Sequence, residues 1–215
     1  DVQKSSHTDV DLGANGAAVD VELLTIDLVD VDLFVGVGGV FDTSVPGDYE
    51  VDATNGTGFF VDNADLYLAI ASVTDPTPLD PPSDLRTWTG IAASADSLTV
   101  KGLPSDFELT VDNLSVLFNT ASGTGATPID WSALVTGNPL EDLAGAVTLA
   151  VSGDLTVNLG GYVLVAGHFD VQKSSHTDVD LGANGAAVDV ELLTIDLVDV
   201  DLFVGVGGVF DTSVP

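Results

Sequence analysis

The chain has 215 residues, of which 34 are acidic and 4 basic, for a formal charge of -30. Phosphate backbones and anionic lipid headgroups would be repelled by such a surface, which argues against nucleic acid as a partner. Apolar residues make up 45% of the sequence, enough for a core, while the absence of cysteine rules out a disulfide scaffold, a thiolate metal site and a thiol nucleophile.

Residues 1–46, from Asp1-Val2-Gln3-Lys4 to Val45-Pro46, return without a change as residues 170–215. The offset is 170 − 1 = 169, so residues 1–169 read as one full tandem-repeat period and residues 170–215 as the start of the next. The duplicated block holds nine acids and Lys4, charge -8, which leaves -22 for one period (-30 + 8). Such a repeat is expected to belong to something longer and to serve reach, spacing or avidity rather than a single reaction.

Strand periodicity dominates the chain. Apolar residues alternate at Val19, Val21, Leu23, then at Val31, Leu33, Val35, Val37, and again at Leu66, Leu68, Ile70. The same holds at Phe107, Leu109, Val111 and at Leu114, Val116, Phe118. Period two puts one set of side chains on a core and the other toward water. Frame breaks at Leu23/Leu24, Leu28/Val29 and Asp112/Asn113 predict bulges or tight turns. The segments Ser44–Asp48, the proline-rich Asp75–Asp84 and Thr120–Pro128 read as loops, and Ser132–Leu134 and Pro139–Ala146 as short helices.

From Val147 to Val171 every odd position is apolar or glycine. One unbroken strand of that length would span roughly 80 Å, so turns are expected at Ser152-Gly153-Asp154 and Gly160-Gly161. The alternation passes through Phe169-Asp170-Val171 without a Gly/Ser linker, which predicts a sheet that continues across the junction. No apolar run approaches the ~18–20 residues of a membrane-spanning helix, and no membrane insertion is expected. The fold class that follows is all-β: an elongated, mainly antiparallel structure, solenoid-like or a sandwich rod, continuing from repeat to repeat.

Acidic positions are the main candidates for chemistry. Asp9, Asp11, Asn15, Asp20 and Glu22 cluster around Gly13-Ala14-Asn15-Gly16, as do their copies Asp178, Asp180, Asn184, Asp189 and Glu191. Oxygen ligands around a glycine-bearing loop suit Ca2+, but the spacing fits neither the EF-hand loop nor the glycine-rich nonapeptide repeat. Alternation by itself also places Asp20, Glu22, Asp27, Asp30 and Asp32 on a solvated strand face. A second such group is Asp62, Asn63 and Asp65. Trp88 and Trp131, the sole tryptophans, are either core anchors or, if exposed, stacking platforms for a ligand. No His pair has metal-ligand spacing, no serine sits in a nucleophile elbow, and Gly36-Val37-Gly38-Gly39 lacks the Lys-Ser/Thr of a phosphate loop. The sequence reads as non-enzymatic.

Phe34-Val35-Gly36-Val37-Gly38-Gly39, with Arg86-Thr87-Trp88-Thr89 and Gly161–Val171, resembles the repeating units of giant, acidic, cysteine-free exported bacterial surface and adhesin-type proteins. The resemblance implies an extracellular or cell-surface location, and an array whose partners are adjacent identical repeats in the same chain or in neighbouring subunits. The expected function is therefore structural: a spacer or filament building block of a fibre or stalk. Two alternatives stand beside it, an adhesin module gripping glycan or protein through Trp88 and Trp131, and a lipid-carrying β groove.

Overall fold

The computed structural model describes residues 1–46, 48–74, 84–182 and 185–210. Ten strands carry it: β1 (Val2–Val10), β2 (Val19–Val37), β3 (Val40–Val45), β4 (Asp48–Asp52), β5 (Thr57–Val73), β6 (Thr87–Lys101), β7 (Phe107–Ser122), β8 (Val147–Leu159), β9 (Val163–Val179) and β10 (Val188–Val204). Eight form one antiparallel sheet in the order β1-β2-β5-β6-β7-β8-β9-β10, and β3-β4 is a separate hairpin. Apart from that hairpin, each strand lies beside its neighbour in sequence, as expected for long hairpins laid side by side.

The junction between periods lies inside a strand. Strand β9 runs through Phe169 and Asp170, pairing with β8 from Leu159↔Val163 to Val147↔Ser174 and with β10 from Val204↔Val163 to Val188↔Val179. The two copies fold alike where both are paired. Val2↔Ile26, Lys4↔Leu24, His7↔Val21 and Val10↔Val19 in β1·β2 recur as Val171↔Ile195, Lys173↔Leu193, His176↔Val190 and Val179↔Val188 in β9·β10. Their side-chain contacts recur too: Lys4–Glu22 at 3.1 Å becomes Lys173–Glu191 at 2.9 Å.

Two sequence expectations need correction. Gly153 is no turn: it pairs with Phe169 in the middle of β8, and only Gly160 and Gly161, both at positive φ, reverse the chain there. The length of the alternating run asked for a reversal, and the single one at Gly160-Gly161 supplies it. Nor is there a bulge at Leu23/Leu24, since Glu22 to Leu28 pair with Ser72 to Leu66 without a slip. That stretch is apolar on both faces because one of them is covered.

The cover is a lobe, residues 123–146, that leaves β7 and folds back over the sheet. It holds two single-turn 3-10 helices: Trp131–Ala133, one residue ahead of the helix expected at Ser132–Leu134, and Pro139–Asp142, half the length of the one expected at Pro139–Ala146. Asp130 and Asn138 cap them by accepting from Ser132 N and Leu140 N. Ile129, Trp131, Leu134, Val135, Leu140 and Leu143 of the lobe form one core with Leu12, Val21, Leu23, Ala69, Ala71, Trp88 and Ala92 beneath. Small residues in β5 and β6 make room for the lobe. A Cβ on Gly90 would lie 2.5 Å from Trp131 Cε2. Gly90→Ala is thus expected to cost about 1–3 kcal/mol, as overpacking does, read as a lowered urea midpoint.

Register assigns the remaining side chains to faces. Val21, Leu23, Ala69, Ala71 and Trp88 touch the lobe, so their strand neighbours point the other way. That opposite face carries apolar rows across the sheet, such as Leu28–Leu66–Ala93–Val116–Val151–Val171. Below the lobe its own face turns polar, in the rows Asp65–Ser94–Ser115–Ser152–Asp170 and Asp62–Ser97–Asp112–Asp154–His168. A cleft of about 690 Å³ lies between the β1–β2 loop at Asp11–Ala14, the lobe at Ala126–Asp130 and Gly145-Ala146, and Ser175 and Thr177 of β9.

Candidate functional site: a polar belt on the lobe face

The belt arises from bulges. Asp30, Asn63, Asn113 and Asp199 all have φ between 50° and 59°. Asn and Asp tolerate this left-handed conformation better than other non-glycine residues. Register slips between Leu28 and Val31, between Asp112 and Ser115 and between Val198 and Asp201. A bulge withdraws its N–H from the ladder, and here a carboxylate of the next strand accepts it. Asp30 N donates to Asp65 Oδ1 at 2.9 Å, and Asn63 N to Asp32 Oδ1 at 3.0 Å. Asn63 and Asn113 in turn donate through Nδ2 to Asp96 and Asp154, each at 2.8 Å. Of the second acidic group, Asp62, Asn63 and Asp65, the last two therefore serve the bulges.

His168 stands in the belt between two acids. Its Nδ1 lies 2.7 Å from Asp154 Oδ1 and its Nε2 3.2 Å from Asp170 Oδ2. The hydrogen bond to Asp154 raises the imidazole above its ordinary value of 6.5. Asp154 is held below its ordinary 3.8, first by the Asn113 amide and then by His168. The imidazolium's contribution to stability is complete below 6.5 and is lost as pH rises through the raised folded value. The carboxylate's contribution is present above 3.8 and is lost as pH falls through its lowered value. Between them lies the window in which both count. The urea midpoint of the protein should fall from about pH 6 to about pH 8, and His168→Gln should remove that part of the slope.

The calcium candidates are employed separately. Asp20 Oδ1 accepts from Asp9 N, a residue at φ 51°, and Asp11 Oδ1 from Gly13 N. The copies Asp189 and Asp180 do the same for Asp178 N and Gly182 N. Glu22 and Glu191 pair with the two lysines. Asn15 is buried: its Nδ2 donates to Leu12 O and Thr127 O, and its Oδ1 accepts from Thr127 N. It ties the β1–β2 loop to the lobe. Asn184 lies outside the described residues. Among the described residues no three His, Asp or Glu side chains are grouped to hold a metal ion.

Trp88 and Trp131 are fully buried, and their indole N–H groups donate to Thr127 O and Asn119 Oδ1. Neither offers a ring face to a glycan, so the adhesin alternative loses the residues proposed for it. Arg86, a residue that sequence reasoning left without a role, sits 5.5 Å from the Trp88 ring centroid and pairs with Asp84 at 2.7 Å. It also donates to Asn15 O, locking loop, lobe and sheet together. A cleft of about 360 Å³ on the sheet mixes polar Ser115, Ser152, Asp170, Gln172, Thr194 and Asp196 with apolar Leu117, Ala150, Val151 and Val171. Chemically the belt is an acidic, water-facing surface whose carboxylates already serve backbone and imidazole partners. Compared with family models, curated proteins and solved structures, the chain matches none of them.

Proposed function

We propose that the chain is a structural segment of a tandem array, a non-catalytic spacer or filament unit at the outside of a bacterial cell, in which each period extends one antiparallel sheet. The observation that carries this reading is strand β9, which crosses the period junction while paired on both sides. One period contributes β2, β5, β6, β7, β8 and β9, six strands, or about 29 Å of sheet. The partner of each period is the next: the edge of β10 is the edge that its copy β2 uses to pair β5 over Val21–Val37.

Acidic side chains keep neighbouring sheets apart in solution, and the lack of cysteine and methionine suits prolonged exposure to oxidants. The test is a chain lengthened by one period. Amides of β10 exchange as an edge strand in the 215-residue chain and become protected when β5 of the added period pairs with them. Unchanged exchange at β10 rejects the reading.

A further inference from the structure

Strand β2 is only half paired on its outer side. There β1 covers it from Val19 to Ile26, and among the described residues Leu28–Val37 has no ladder partner on that side. On the inner side the same stretch pairs with β5 as far as Val37↔Thr57. A row of unpaired N–H and C=O groups on a sheet edge is a template for one more strand.

The repeat shows which strand fits. Leu197–Val204 of β10 is the copy of Leu28–Val35, and its corresponding side is taken by β9, from Leu197↔Phe169 and Val198↔His168 to Asp201↔Ala166 and Val204↔Val163. Gly205 N donates to Tyr162 O and Gly208 N to Gly161 O, each at 2.9 Å, so the contact runs past the end of β10. A bulge lies within it: Asp199 and Val200 stand opposite Gly167 alone. A Cβ on Gly167 would come within 2.9 Å of Val200 Cγ2 and 3.0 Å of Val200 Cα. The unpaired edge of β2 already has this shape. Asp30 stands at φ 59° where its copy Asp199 stands at 51°, and Asp65, from the inner side of β2, accepts from Asp30 N. An acceptor formed before its donor arrives lowers the cost of ordering. Charge agrees: the edge carries Asp27, Asp30 and Asp32, and Tyr162–Phe169 contains one histidine and no acid.

We propose that the outer edge of β2 from Leu28 to Val37 is a strand-acceptor site whose occupant is the Tyr162–Phe169 segment of the preceding period, with Gly167 seated against the Asp30–Val31 bulge to set the register. The inference rests on the array proposed above, and it adds which segment joins at this edge and what fixes its alignment. A slip of one residue would bring Ala166 or His168 to the bulge, and either carries the Cβ that Gly167 lacks. The same slip would turn every side chain of the donor to the wrong face.

The test adds the donor in trans. A fluorescent peptide of residues Tyr162–Phe169 is titrated into the full chain, and amide exchange is mapped with and without it. The expected result is saturable binding at a single site, with the amides between Leu28 and Val37 becoming protected. A peptide carrying Gly167→Val should bind weaker by about tenfold or more, as overpacking against the bulge requires, and a peptide of reversed sequence should not compete. Absence of saturable binding overturns the proposal. So does equal affinity of the Gly167→Val peptide, or protection confined to strands other than β2. Protection of Leu28–Val37 in a dimer before any peptide is added overturns it as well, because a second copy then holds the edge. Exchange at β10 in the lengthened chain reads the opposite edge without peptide, so a failure of sheet continuation is distinguishable from a failure of this acceptor.

Discussion

Leu23→Ala is expected to destabilise the protein by about 2–5 kcal/mol, and the same substitution at its copy, Leu192→Ala, by less than about 1 kcal/mol. The two leucines have identical neighbours in sequence and the same strand pairing on one side. They differ in cover: Leu23 is 4% exposed under the lobe, while Leu192 is 48% exposed. Leu12 at 5% and Leu181 at 52% repeat the contrast. Urea midpoints of the two variants measure it directly, with the protein as its own control. Lengthening the chain by one period should raise the cost of Leu192→Ala to that of Leu23→Ala, because the added β5, β6 and lobe would cover it. A cost of Leu192→Ala that stays small in the lengthened chain would show that periods fold as independent bodies.

Trp131→Ala should cost about 3–5 kcal/mol, the range for deleting a buried aromatic, and lower the melting temperature by on the order of 10 °C. The ring is fully buried over Gly90, and its indole N–H donates to Asn119 Oδ1 at 3.1 Å. Asn119, itself buried, donates to Ile129 O at 2.8 Å. Removing the indole therefore opens a cavity and strips one partner from a buried amide. Trp131→Phe separates these effects: it refills most of the volume but leaves Asn119 Oδ1 unsatisfied, an expected loss of about 1–3 kcal/mol. Calorimetric melting of the three proteins checks the order. If Trp131→Phe equals wild type, the Asn119 bond contributes nothing and the lobe is held by packing alone.

Much of the strand content was legible because alternation runs unbroken from Val147 to Val171, through β8 and the first half of β9, and a strand's period is a local property. The seam was legible for the same reason: Phe169, Asp170 and Val171 obey one frame. The belt was only half legible. The frame breaks at Leu28/Val29 and Asp112/Asn113 are real bulges, but the carboxylates that accept the freed N–H groups come from other strands. Asp65 serves Asp30 across 35 residues, and no local pattern carries that. The acids read as calcium ligands are there for the same purpose, with Asp20 serving Asp9.

What the amino-acid order determined by itself is a period of 169 residues, an all-β chain and the segregation of polar from apolar positions along each strand, all set by neighbours a few residues apart. The tertiary structure decided which apolar face is covered. Leu23 and Leu192 are the same residue in the same local sequence, and the neighbouring strand β5 together with the lobe, about a hundred residues downstream of Leu23, makes one core and the other surface. Burial is a property of what packs on a side chain, so identical sequences acquire different energies when one of them meets its cover and the other does not.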